Sequence, residues 1–155
     1  MIIRRPKPED AERLAEMVDA LNRHEGEATG LFTAAAALAD IIAPDAPVHG
    51  FVAEAAGTLT GFALWHFAYD TAMAGRGGFL ADLFVEDSHR GTGTADALLK
   101  AVAQDVDAGG GTFLWWGAYA SNVRARTFYR RYASDEEDGI VTFNISGERF
   151  ARLVE

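Results

Sequence analysis

The chain has 155 residues, 49% hydrophobic and 11% aromatic, enough for one well-buried core and too few for two ordinary domains, so residues 1–155 are expected to form a single domain. A net charge of -9 with no lysine- or arginine-rich block argues against nucleic acid as a partner, and the lack of cysteine removes disulfides, cysteine metal sites and an acyl-cysteine intermediate. No apolar run reaches the roughly 18 residues of a membrane span, and MIIRRPKPEDAERL places charges where a secretion signal needs an apolar core, so the chain reads as cytoplasmic with no membrane partner.

From Glu9 to Leu21, the residues Leu14, Met17, Val18 and Leu21 recur at i, i+3, i+4 and i+7, the stripe of an amphipathic helix, with Pro8 suited to its first position. An alanine-rich helix follows from Thr33 to Ile42 and stops before Pro44. Val48 to Ala55 and Leu59 to Tyr69 are β-branched and aromatic runs around Gly57, predicting an antiparallel hairpin. Asp70 to Gly78 reads as a loop, and Phe79 to Val85 as a central strand broken only by Asp82. From Thr94 onward Ala95, Leu98, Leu99, Val102 and Val106 share a helical face that ends at Gly109-Gly110-Gly111. Thr112 to Tyr119 reads as an aromatic strand on which Trp115 and Trp116 alternate, so at least one is expected in the core. A helix over Val123 to Tyr132, a strand over Ile140 to Ile145 and a terminal helical turn over Glu148 to Val154 complete the chain.

The turn Arg90-Gly91-Thr92-Gly93-Thr94-Ala95 joins the central strand to the helix after it. Glycine allows a ligand close to the backbone, and the first helical N–H groups are unpaired donors at the positive end of the dipole, so the turn suits a pyrophosphate. Arg90 is placed to add a charge-assisted contact. A nucleotide P-loop needs Gly-Lys-Ser/Thr, where this chain has Gly93-Thr94-Ala95. A dinucleotide fingerprint wants the turn after the first strand, but two helices and a hairpin come first. On its own a Gly-x-Gly also serves as a plain strand-to-helix turn.

The order of elements and the turn together resemble the GCN5-related N-acetyltransferase (GNAT) superfamily, whose signature Arg/Gln-x-x-Gly-x-Gly/Ala is matched by Arg90, Gly93 and Ala95. A second stretch, Asn122-Val123-Arg124-Ala125-Arg126-Thr127-Phe128-Tyr129, resembles the family's Asn-x-x-Ala-x-x-Phe-Tyr. The likeness implies an α/β fold with a mixed sheet of six or seven strands flanked by helices and acetyl-CoA as co-substrate; His24 and His49 lack metal-ligand spacing, so no metal is expected. It further implies that the backbone of Leu83, Phe84 and Val85 holds the pantetheine arm and that Gly91, Thr92, Gly93, Thr94, Ala95 and Asp96 hold the pyrophosphate. Helical spacing puts Ala125, Phe128, Tyr129 and Tyr132 near one face, where Tyr129 also reads as a core aromatic whose hydroxyl finds a partner; by the resemblance Asn122 would cap its helix and touch pantetheine, and Tyr129 would protonate the departing thiolate, a transfer open to a phenol. A backbone N–H near Leu83 to Val85 would meet the oxyanion.

Arg23-His24-Glu25, Trp65 to Asp70, Leu80 to Val85 and Ser134 to Glu137 resemble the diamine (spermidine/spermine) acetyltransferases within that superfamily. The likeness implies a small-molecule primary amine as partner and a homodimer. Two positions depart from it: Ala81 stands where that group carries a glutamate, and Ala133 where the helix usually ends in glycine. Glu25 and Asp82 are therefore catalytic candidates, with Asp82 set by alternation on the opposite face from Ala81. His66, Asp70 and Glu86 are further proton acceptors, although a histidine within an aromatic strand is commonly a satisfied core residue. Amino-acid, drug or protein amines are competing acceptors. A non-catalytic acyl-CoA sensor and a nucleotide-binding module are the rivals from other classes.

Overall fold

The computed structural model describes residues 1–132, 136 and 141–154, in two compact units, Met1–Gly117 and Ala118–Glu155. In the first unit, strand β1 (Ile2–Arg4) leads through a short turn at Pro8–Asp10 into helix α1 (Ala11–Glu25). Asp10 explains that join: its carboxylate accepts from the Lys7 amide at 2.7 Å and from Arg4 Nη1 at 2.6 Å, while Arg4 Nε donates to Glu54 at 2.8 Å. Helix α2 (Ala34–Ala37) is capped by the Thr33 hydroxyl, which accepts from Ala36 N at 3.2 Å, and widens into a π-type turn at Leu38–Ile42.

Strands β2 (His49–Ala55), β3 (Thr58–Asp70) and β4 (Gly75–Val85) form a meander, helix α3 (Thr94–Ala108) crosses over, and β5 (Leu114–Trp116) closes the sheet. The order is β1-β2-β3-β4-β5, antiparallel throughout except for the parallel β4–β5 pair that the α3 crossover produces. The sheet is mixed, as expected, but has five strands among the described residues rather than six or seven. Ile140 lies outside those residues and 141–145 form no strand.

Two layers of side chains bury the sheet. On one face Leu14, Met17, Val18 and Leu21 of α1 pack with Val52, Phe62, Leu64 and Phe84, the helical stripe meeting alternate strand positions. On the other, α3 packs against β3 and β4 and buries Leu98, Val102 and Val106. Trp65 is the large aromatic of this layer, fully buried, stacked on His49 at 4.6 Å. Neither Trp115 nor Trp116 is buried, against expectation.

Residues 75–78, read as loop from their glycines, are strand, and at Gly77 and Gly78 close packing leaves no room for a side chain. A Cβ at Gly77 would lie 2.5 Å from the Phe113 ring, and one at Gly78 2.6 Å from Val106 Cγ2.

In the second unit, helix α4 (Val123–Tyr129) is capped by Asn122 Oδ1, which accepts from Ala125 N at 3.0 Å. The helix tightens into a 3₁₀ turn at Arg130–Tyr132, and helix α5 (Gly147–Val154) forms where a terminal helical turn is predicted.

Candidate active site

Between β4 and α3 the chain makes a short turn at Asp87–His89 and then passes through Gly91 (φ +77°) and Gly93 (φ +84°). That left-handed backbone is what demands glycine, since an added Cβ at either position meets nothing within 4 Å. Gly93 is the residue before α3, and the first helical bond runs from Ala97 N to Gly93 O at 3.0 Å. The amides ahead of it have no acceptor within the helix and stand at the positive end of its dipole. Thr92 braces the turn by donating to His89 O at 2.7 Å, with Thr94 Oγ1 2.9 Å from its hydroxyl oxygen. Arg90 does more for the turn than its charge alone implies: Nε donates to Val85 O at 2.8 Å and the guanidinium pairs with Asp87, tying the turn to the end of β4. Ala95 and Asp96 are half-buried in the first helical turn, and Thr94 is buried.

Along β4 two irregularities coincide. Leu80 pairs with Trp65 and Asp82 with Leu64, so Ala81 is one residue more than β3 can match. The parallel pairing with β5 also ends at Leu80, opposite Trp116. Leu83, Phe84 and Val85 remain paired to Ala63, Phe62 and Gly61 on the β3 side and have no β5 partner on the other. Apart from Val85 O, which accepts from Arg90 Nε, backbone groups on that open side are available to a ligand strand or arm. The bulge also breaks the alternation argument for Asp82. Because Asp82 sits opposite Leu64 and two residues before Phe84, it lies on the α1 face of the sheet.

Glu25, at the C-terminal end of α1, comes close enough to Asp82 for their charges to interact. Burial raises the Glu25 carboxyl above its ordinary range and the Asp82 charge adds to the rise; burial raises Asp82 as well. The structure thus brings together two carboxyls singled out in the sequence and makes both better proton acceptors than an ordinary carboxylate. The remaining acceptors are occupied or elsewhere. Glu86 is paired with Arg13, Asp70 Oδ1 accepts the Ala72 and Met73 amides at 2.7 and 3.3 Å, and His66, expected in the core, is exposed with Nδ1 donating to Phe67 O at 3.0 Å. A groove of about 530 Å³ lies beside the turn, lined in part by Arg23, His24, Phe84, Glu86 and Arg90.

In the second unit, Tyr129 ends α4, half-buried, its ring edge-on to Phe128 at 5.1 Å. Ala125 is half-buried on the same helix. Ala133 and the stretch Ser134, Asp135 and Glu137 lie outside the described residues. Glu136 is held by Arg126 and Arg130 at about 2, well below the usual carboxylate range. Among the described residues no group of three or more His, Asp or Glu side chains is placed to hold a metal, and no helix is long and apolar enough to cross a membrane. The bulge at Ala81 escapes sequence reasoning, since nothing in the pattern of Leu80 to Val85 marks an extra residue.

Several solved structures share this architecture. An integron cassette protein from V. cholerae superposes with a TM-score of 0.81 at 20% identity, over 99% of this chain and 97% of the other. A ribosomal-protein-alanine N-acetyltransferase from Brucella melitensis gives 0.73 at 20% identity, over 94% and 100%. An aminoglycoside acetyltransferase from an uncultured soil metagenomic sample gives 0.75 at 16% identity, over 94% and 95%. At such identities the likeness is one of fold. No curated relative matches the sequence. Residues 13–133, spanning the α1 stripe, the β4 bulge, the glycine turn and α4, match the acetyltransferase (GNAT) family. The chain belongs to that family and is an acetyl-CoA-dependent N-acetyltransferase.

Proposed function

We propose that the chain transfers acetyl from acetyl-CoA to a primary amine of a small diamine-like or polyamine-like molecule, by direct attack in a ternary complex. The observation that carries this reading is the carboxyl pair Glu25 and Asp82 set beside the stretch of β4 that lacks a β5 partner. Acetyl-CoA supplies an activated acyl thioester. The amides from Gly91 to Asp96 suit its pyrophosphate, with Arg90 fixing the turn, and the open edge of Leu83 to Val85 suits its pantetheine arm. A backbone N–H of that edge would hydrogen-bond the thioester carbonyl oxygen as charge develops there.

An alkylammonium keeps its proton at neutral pH and cannot attack until it is lost. Asp82 and Glu25 are the groups we assign to that task, with Asp82 the acceptor and Glu25 holding the ammonium. The roles of Asn122, Ala125 and Tyr129 rest on the Asn-x-x-Ala-x-x-Phe-Tyr motif, and Tyr129 is assigned as the proton donor to the thiolate. Cytoplasmic action and a homodimer belong to the same reading.

Thiol release from acetyl-CoA over a panel of diamines, polyamines, amino acids, aminoglycosides and peptide N-termini tests it. Turnover greatest on the diamines is the expected result. Turnover confined to peptide N-termini or aminoglycosides would replace the acceptor, and acetyl-CoA binding with no turnover on any amine would mark a sensor.

A further inference from the structure

One row of aromatic side chains on the sheet has no part in the scheme above. On β3, Leu64 and His66 are two residues apart and share the α1 face. Phe79 lies opposite His66, and Trp115 lies opposite Phe79 across the β4–β5 pair. The three rings make one continuous line: His66 to Phe79 is 5.2 Å between ring centroids, tilted by 32°, and Phe79 to Trp115 is 5.7 Å, edge to face at 82°. Unlike the Leu64 row beside it, which α1 covers, this row is open. Trp115 is 52% exposed and His66 is also exposed.

Its position along β4 is what gives it meaning. Asp82 lies opposite Leu64, one row away on the same face, a separation of roughly 7 Å from the strand rise of about 3.3 Å per residue. From the glycine turn backward, β4 therefore leads from an open edge at Leu83 to Val85, past a carboxyl at Asp82 with Glu25 beside it, to the half-buried ring of Phe79 and the exposed ring of Trp115 against it. Carboxylates attract one cation, and an exposed indole face attracts another through its quadrupole. An acidic molecule of net charge -9 adds to that preference.

We propose that Phe79 and Trp115 form the subsite for the distal ammonium of a dicationic acceptor, whose reacting amine lies against Glu25 and Asp82. This rests on the acetyltransferase reading above and deepens it, because the aromatic row distinguishes a short alkyl diamine from a monoamine of the same length. The row chooses between acceptors and takes no part in proton transfer.

The test compares KM for an alkyl diamine and for the alkyl monoamine of equal chain length in the parent protein, Trp115→Leu and Trp115→Phe, with the thermal transition of each recorded. The parent is expected to favour the diamine. Trp115→Leu should raise the diamine KM by about three- to ten-fold and leave the monoamine KM and the melting temperature unchanged, while Trp115→Phe should recover part of the loss. An unchanged diamine KM, or equal rises for both amines, overturns the proposal, the latter marking mere apolar packing. Absence of thiol release with every amine, while acetyl-CoA still binds, defeats the underlying reading first and the subsite with it.

Discussion

Burial pushes the Asp82 and Glu25 carboxyls upward, with the Asp82 charge adding to the rise at Glu25, and this has a consequence for the fold as well as for proton transfer. A carboxyl whose folded-state pKa exceeds its unfolded one contributes stability while protonated, below the unfolded value, and loses it as pH rises through the folded value. At neutral pH both groups are therefore retained against the interest of stability, as active-site groups often are. Asp82→Asn should raise the melting temperature at pH 7 and raise it less in acid, while lowering kcat/KM by roughly 100-fold or more if the carboxylate takes the amine proton. Calorimetry at two pH values beside initial rates measures both, and an equal gain at the two pH values would exclude the ionised carboxylate as the cause. Asp10 shows the opposite sign. Its hydrogen bonds from Arg4 hold it below the usual carboxylate range, so its contribution is present above the unfolded pKa and fades as pH falls. For Tyr129→Phe the expected outcome is an acetyl-CoA dissociation constant within a few-fold of the parent and a kcat lower by about 100-fold, the usual worth of a placed proton donor. Equal kcat in the two proteins would remove the phenol from the reaction.

Helices and strands differed in how openly the sequence announced them. The stripe of Leu14, Met17, Val18 and Leu21 and the run of Leu98, Val102 and Val106 locate α1 and α3 because each helix buries one face, and burial imposes a period. Gly57 locates the β2–β3 hairpin, since its φ of +79° closes a turn few other residues allow. Strand β1 carries no such signal: three residues at a sheet edge are too few for any period. Gly77 and Gly78 misled in the other direction, their bareness reflecting the Phe113 ring and the Val106 and Leu114 methyls packed on them rather than a loop. At the candidate site the glycine turn was legible because its residue types are dictated by backbone conformation. Gly93→Val tests that dictation. Forced into the left-handed region, valine should destabilise by about 1–2 kcal/mol, and its branched side chain beside the first α3 amides should weaken acetyl-CoA binding about ten-fold or more. Calorimetric titration reads the second effect, and an unchanged dissociation constant would place the diphosphate elsewhere.

Across the whole molecule, the carboxyl pair and the aromatic row became visible only once the strands were in register, because sequence neighbours say little about which residues face each other between strands. Glu25 and Asp82 are 57 positions apart (82 − 25) and meet through α1 packing on the sheet. Trp115 reaches Phe79 only through the α3 crossover. The surplus residue at Ala81 lies between them, where the pairing of β4 with β5 also ends. Without it, Leu80 and Asp82 would become consecutive, still opposite Trp65 and Leu64, and each would keep its present side of the sheet. Excising the Ala81 codon should therefore spare the hydrophobic layers and yield a cooperatively melting protein, but one whose β4 runs straight and zips onto the neighbouring strand past Trp116, leaving a thioester nowhere to lodge. Such a variant is expected to be a folded shell deaf to acetyl-CoA, its shape parted from its catalysis by three nucleotides.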